Sequence, residues 1–209
     1  IKSWFDMPSA RSSSSIIVGL SASASESEDA SSSLSLATVT RAAAFAEAAA
    51  SCAAGADDLL FYPYLSGARA PFWDASLTAE LRGLTRAHTH TAIARAAFEG
   101  VGHVLTAIWH DMTARLGHTP TRLHVLGGGA RLDFFCQILA DMLGVDLLRG
   151  AEHDCAFATA LLAATAAGAQ PDLASAAQNG YSQAGQFVPD SANHARYAFC
   201  HDKFMARHK

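Results

Sequence analysis

The 209-residue sequence predicts an α/β domain, with strands and helices alternating around a layered core, and three observations carry that reading. Short apolar runs, IIVGL, LLFY, LHVL and VDLL, are spaced by longer segments of helical periodicity. One of them, LHVL, runs directly into GGGA and then into an amphipathic segment, the order of strand, glycine turn and helix. Half of the residues are hydrophobic and only 16% are charged, ample for one large core or two small ones.

The elements follow in chain order. IIVGL at residues 16–20 is an apolar island in the serine-rich stretch 1–40 and reads as a strand. The stretch around it, with SASASESEDASSS, offers little to bury against the entropy of ordering it and reads as a divergent, linker-like start. Residues 41–54 are rich in Ala and read as a helix stopped by Gly55. LLFY at 59–62 is a buried strand before Pro63. Residues 92–116 carry the clearest helical spacing, with Ile93, Ala97, Val101, Val104, Leu105, Ile108, Met112 and Leu116 recurring on one face and Gly117 as the stop. Gly100 and Gly102 inside that helix predict another backbone packed closely against it. A strand at 123–126, a helix at 132–143, a strand at 145–148 and an Ala-dense helix at 156–167 closed by Gly168 complete the pattern.

Composition also excludes functions. A net charge of −4 with scattered Lys and Arg provides no basic face for a phosphate backbone, so no nucleic acid partner is expected. No apolar run reaches the roughly 18 to 20 residues of a membrane helix, and no basic-then-apolar leader stands at the front; no membrane association and a cytoplasmic location are expected. Cys52, Cys136, Cys155 and Cys200 never form a CxxC pair, which fits free thiols in a reduced compartment. The first residue is Ile1 rather than Met, so a chain beginning inside a longer protein is expected.

The glycine turn is where chemistry is expected. Glycine admits positive φ, and its missing side chain lets a flat ring or a phosphate lie against the backbone at a helix start. GGGA by itself matches neither GxGxxG nor the phosphate loop with its Lys-Ser pair, and a ligand-free tight turn has equal claim on these residues alone.

Four blocks in order change that balance: FYPYLSGARAPFWD at 61–74, RGLTRAHTHTAIARAAFEGV at 82–101, HVLGGGARLDFFCQILADMLG at 124–144 and CAFATALLAATAAG at 155–168. Together with the tail VPDSANHARYAFCHDKF they resemble the C-terminal domain of the FGGY carbohydrate kinases, and within that family look most like its xylulokinase branch. The resemblance implies a ribonuclease H-like, actin-type ATPase fold, with residues 41–209 as the C-terminal, nucleotide-binding lobe of a two-lobed sugar kinase. It implies ATP and Mg²⁺ as cofactors, a sugar substrate such as the pentulose D-xylulose, and an N-terminal lobe as partner. The catalytic base and the Mg²⁺-binding acid would sit in that other lobe, so no catalytic or metal residue is assigned here. Gly128, Gly129 and Ala130 would line adenine, and Asp133 would reach the base. Gly129 is expected to be the most sensitive position, its φ being one that a side chain resists. Ala68 and Ala70 stand where relatives usually have an acid and a hydroxyl, Asp154 and Ala158 where they have Gly, and the serine-rich segment after Leu20 lacks their Trp-bearing helix.

Two other readings remain: a catalytically inactive remnant or interaction module, and an actin-like nucleotide switch without a sugar. A lobe with an uncovered cleft is also expected to self-associate, as a homodimer. Among the remaining residues, His88, His90, His110 and Asp111 read as polar surface rather than metal ligands, and Glu99 as a buried acid accepting hydrogen bonds from a neighbouring turn. Asp74 is expected to fix its loop, Phe72 and Trp73 to be core, and Arg69 to face the cleft or to pair structurally in equal measure.

Overall fold

The computed structural model describes residues 15–20, 43–151 and 155–208. Strand β1, Ser15–Leu20, lies beside β4, Arg122–Gly127, which lies beside β5, Asp146–Gly150; these three run parallel. Strand β6, Gln183–Phe187, closes the sheet antiparallel to β5, giving the order β1-β4-β5-β6. A separate antiparallel ribbon pairs β2, Leu60–Tyr62, with β3, Glu80–Arg82. The α/β prediction holds, and each expected strand forms within two residues of its expected ends. The linker-like reading of the serine-rich start falls, apart from β1, outside the described residues, as does Asp154.

Helix α1 is described over residues 43–50 and stops four residues before its expected end at 54, and Gly55 turns the chain with φ of 88°. Helix α2, His90–Leu116, ends at Gly117 in the left-handed conformation that glycine adopts without strain. Helix α3, Asp133–Leu143, lays Phe135, Ile138, Leu139 and Met142 over Leu123 and Val125 of β4 and Leu147 of β5, the main core. Helices α4, Cys155–Ala166, and α5, Leu173–Gly180, lead to β6. The last helix, α6, Ser191–Met205, starts on Asp190, whose carboxylate accepts from the backbone N–H groups of Ala192 and Asn193, both at 2.9 Å. Buried Asp141 of α3 ties α6 down: it accepts from Asp190 N at 2.8 Å and from Asn193 Nδ2 at 2.9 Å.

Helix α2 corrects the expected apolar face. Of the stripe drawn on Ile93, Ala97, Val101, Val104, Leu105, Ile108, Met112 and Leu116, none is fully buried and Val101 is exposed. The buried residues are instead mostly small or polar, among them Ala92, Ala96, Gly100, Gly102, Arg95, Glu99, His103 and Thr106, with Trp109 the one large apolar side chain. At Gly100 the helix lies directly against backbone, where bulk does not fit. A Cβ on Gly100 would collide with the Phe61 carbonyl of β2, the close backbone approach that was expected; at Gly102 the close neighbour is the Met142 side chain instead.

Candidate functional site

Strand β4 delivers the glycine turn at its carboxyl end, between two parallel neighbours, which is where open α/β sheets present their crevice. Gly127 ends the strand with φ of 93° and ψ of −178°, a conformation closed to residues with a side chain. A single 3₁₀ turn, Gly128–Arg131, follows; Leu132 is extended, and Asp133 opens α3 as the acidic residue of its first turn. Gly129 is not in the positive-φ region; that constraint sits two residues earlier, on Gly127. Its signal in the sequence was position, the last residue of the strand.

The structure brings the four expected site residues together but gives them different surroundings. Gly128 is exposed, and a Cβ built on it meets nothing within 4 Å among the described residues. Gly129 is half-buried. Ala130 is wholly buried in the core and offers its carbonyl instead, which accepts from Arg149 Nη1 at 2.9 Å and from the Cys136 thiol at 3.4 Å. Burial pushes that thiol up to about 11. Asp133 accepts from the same Arg149 Nη1 at 2.6 Å, and its side chain stays 75% exposed. Arg149 was not anticipated from the sequence, since a lone Arg in a strand six residues beyond a helix carries no local signal.

A second polar cluster lies in the seam between α2 and α6. Glu99 accepts from the Gly55 N–H at 2.9 Å, from Arg95 Nε at 2.8 Å and from the Tyr197 hydroxyl at 2.9 Å. Burial raises its pKa, and Arg95 and the Gly55 N–H oppose the rise. The expected contact with a neighbouring turn is therefore present, and Arg95 Nη2 closes the cluster by donating to the Tyr197 hydroxyl at 2.6 Å. Nearby, His103 and His201 line a cavity of about 160 Å³ with His110, Met142 and Tyr197.

In the loop after β2, Asp74 accepts from Ser76 N at 2.8 Å and Ser76 Oγ at 2.6 Å, which fixes the loop as expected and holds the carboxyl below its usual range. The core reading fails for Trp73, which is 76% exposed with φ of 52°. Phe72 is half-buried and stacks on His208, with centroids 3.8 Å apart. His88 is held in its loop by Thr85 N at 2.9 Å and Asp57 O at 3.1 Å, and among the described residues no group of three or more His, Cys, Asp or Glu is placed to hold a metal ion.

The sheet order and the glycine turn define a lobe of the actin-like ATPase class. The chain belongs to the FGGY family of carbohydrate kinases, whose C-terminal domain matches residues 17–168. It is 33% identical over 160 residues to a xylulose kinase of Staphylococcus epidermidis, covering 76% of this chain and 32% of that one. A gluconokinase of Bacillus licheniformis is 40% identical over 88 residues, 42% of this chain and 17% of the relative. The crystal structure of a ligand-bound xylulose kinase from Lactobacillus acidophilus superposes with a TM-score of 0.68 at 29% identity, over 78% of this chain and 33% of that one. The chain thus spans a third or less of the length of these relatives. No described helix is long and apolar enough to cross a membrane.

Proposed function

We propose that this chain is the nucleotide-binding C-terminal lobe of an ATP-dependent sugar kinase, with residues 41–209 as the lobe proper and the serine-rich 1–40 as its divergent start. The single observation that carries the proposal is the open face of Gly128 at the carboxyl end of β4, inside the stretch that matches the family. A flat purine ring fits against a turn with no side chain on that side, and the start of α3 adds the positive end of its dipole. ATP would supply the γ-phosphoryl group for in-line transfer to a sugar hydroxyl, where positioning and charge stabilisation provide most of the rate. Mg²⁺ would be carried on the nucleotide's phosphates and held from an N-terminal lobe, and a cytoplasmic setting goes with that chemistry. D-xylulose is the leading acceptor because xylulose kinases share most of this chain's length, and gluconate is the alternative that the second relative names.

Within this reading Gly128 and Gly129 face the base, Ala130 shapes the turn from beneath, and Asp133 contacts the base edge. Calorimetric titration of the chain with a non-hydrolysable ATP analogue tests it. Gly129→Val is expected to lose most of the affinity while the protein stays folded, because the added branch enters the space of the ring. Asp133→Ala is expected to lose up to about tenfold, the loss of one exposed hydrogen bond. Equal affinities in wild type and both variants would end the adenosine-site reading. Incubated with ATP, Mg²⁺ and a panel of polyols, the chain alone is expected to show no turnover; turnover that copurifies with it would place the catalytic base in this lobe. Exposed Leu65, Trp73 and Leu84 are apolar surface for the other lobe or for a second copy, and light scattering across a concentration series distinguishes monomer from dimer.

A further inference from the structure

Arg149 is the only side chain that joins the glycine turn, the start of α3 and the sheet edge at once, among the contacts of the described residues. It leaves β5 opposite Gly185 of β6, where the absence of a side chain gives the guanidinium room: a Cβ on Gly185 would lie 3.3 Å from Arg149 Nη2. Its cation sits 5.5 Å above the Phe187 ring centroid, and the side chain is 15% exposed. From there one nitrogen, Nη1, donates both to the Ala130 carbonyl, inside the 3₁₀ turn, and to Asp133 Oδ1, at the start of α3. Two charge-assisted bonds from one atom hold the end of the turn and the first residue of the helix at a fixed separation.

We propose that Arg149 is the positioning residue of the nucleotide site: the clamp it makes on Ala130 and Asp133 holds the glycine turn in the shape that receives a purine nucleotide. The proposal rests on the reading of that turn as the adenosine site. Arg149 itself need not touch the base. Its guanidinium fixes where the backbone of Gly128 and Gly129 lies, and it turns the Asp133 carboxylate so that one oxygen is engaged while the side chain remains open to solvent. A turn rich in glycine has many accessible shapes, and restricting them before the ligand arrives removes part of the ordering cost of binding.

The test uses the full chain, with ADP as the probe. Calorimetric titration gives the dissociation constant and thermal unfolding runs in parallel, for wild type, Arg149→Met, Arg149→Lys and the double variant Arg149→Met with Asp133→Asn. Arg149→Met is expected to weaken ADP about tenfold or more, the loss of a two-bond charged clamp. Arg149→Lys is expected to restore affinity to within about threefold of wild type, because a single nitrogen makes both contacts and an ammonium carries enough donors to replace it. The double variant is expected to bind about as Arg149→Met does, since the clamp is already broken and asparagine still offers the base edge a hydrogen-bonding group. If Arg149→Met melts earlier yet binds ADP as wild type does, the residue is only structural and the positioning role is overturned. If Arg149→Met fails to fold, Arg149→Asn decides by the same measurement, with wild-type affinity again overturning the role. Absence of ADP binding by the wild-type chain overturns the nucleotide reading itself, and the positioning role with it, so the two failures are told apart.

Discussion

The glycine turn after β4 and the seam between α2 and α6 each rest on an arginine-carboxylate pair, but one pair is closed and the other open. Glu99 is 4% exposed and takes hydrogen bonds from three separate segments; Asp133 is 75% exposed and takes one from Arg149. A carboxylate enclosed by donors from several segments serves to align them, and all three bonds to Glu99 converge on its Oε1. One held on a single flank keeps capacity for a ligand. Burial and partner count, rather than the residue types, separate the two ion pairs.

The seam should break most severely. Glu99→Ala leaves the Arg95 cation buried and takes the acceptor from the Gly55 N–H and the Tyr197 hydroxyl. Removing one partner of a buried pair costs about 3–5 kcal/mol. Loss of most of the cooperative unfolding transition is expected in urea, and a variant with an unchanged midpoint would show the seam to be dispensable.

Acid should attack the same seam next. Among the described residues, both ring nitrogens of His103 and Nδ1 of His201 are buried without a hydrogen-bond partner. Burial lowers His103 to about 3, with His201 adding to the effect, and lowers His201 to about 4, with His110 adding and Asp202 opposing. In the unfolded chain both titrate near 6.5. The unfolded state therefore binds more protons as pH falls through that value, and stability is lost progressively from there down to the folded values. By pH 5 the loss is about 2 kcal/mol for each histidine. Urea midpoints measured from pH 7 to pH 5 should fall, and His103→Leu should flatten the slope; an identical slope in that variant would remove His103 from the explanation.

Much of this contrast was legible in the sequence and part of it was not, for physical reasons. The strands at IIVGL and LHVL, the helix beginning at Asp133 and the stop at Gly117 depend on local patterns, and they stand within a residue or two of where those patterns put them. The partner of Glu99 was anticipated because a buried acid demands donors. Its donors, though, come from Gly55 and Tyr197, 44 and 98 residues away, which no spacing rule reaches. Strand β6, QAGQF, was missed because its first four residues are polar or small and it is a strand only by pairing with β5. The face of α2 was misjudged because hydropathy ranks Val101 above Ala96, while the packing surface admits only small side chains at positions such as Ala96 and Gly100. The four expected residues fall in one turn because they are neighbours in the chain, yet Arg149, which ties two of them together, is visible only once β5 lies beside β4.

Glycines in the two regions sharpen the comparison with one chemical change. Gly100→Ala places a methyl group into the Phe61 carbonyl of β2, where neither backbone can yield without moving the helix or the ribbon. A cost of about 1–3 kcal/mol is expected, as for other overpacked sites. A melting temperature equal to wild type would mean that α2 shifts freely against β2.

Gly128→Ala should be the smallest of these effects on stability and is the most informative about function. The same methyl group meets nothing within 4 Å at this position, and its φ lies outside the region that favours glycine. Replacing Gly by Ala at a compatible site also lowers the entropy of the unfolded chain, so any change in stability should be slightly upward, by about 0.4–1 kcal/mol. The methyl group does, however, occupy the open face where the purine is placed. A protein that melts at or just above the wild-type temperature while binding ADP several-fold more weakly is the result expected of a surface kept bare for a ligand. If affinity is unchanged as well, the open face of Gly128 is a consequence of the turn alone, and the seam and the turn differ only in how well they are buried.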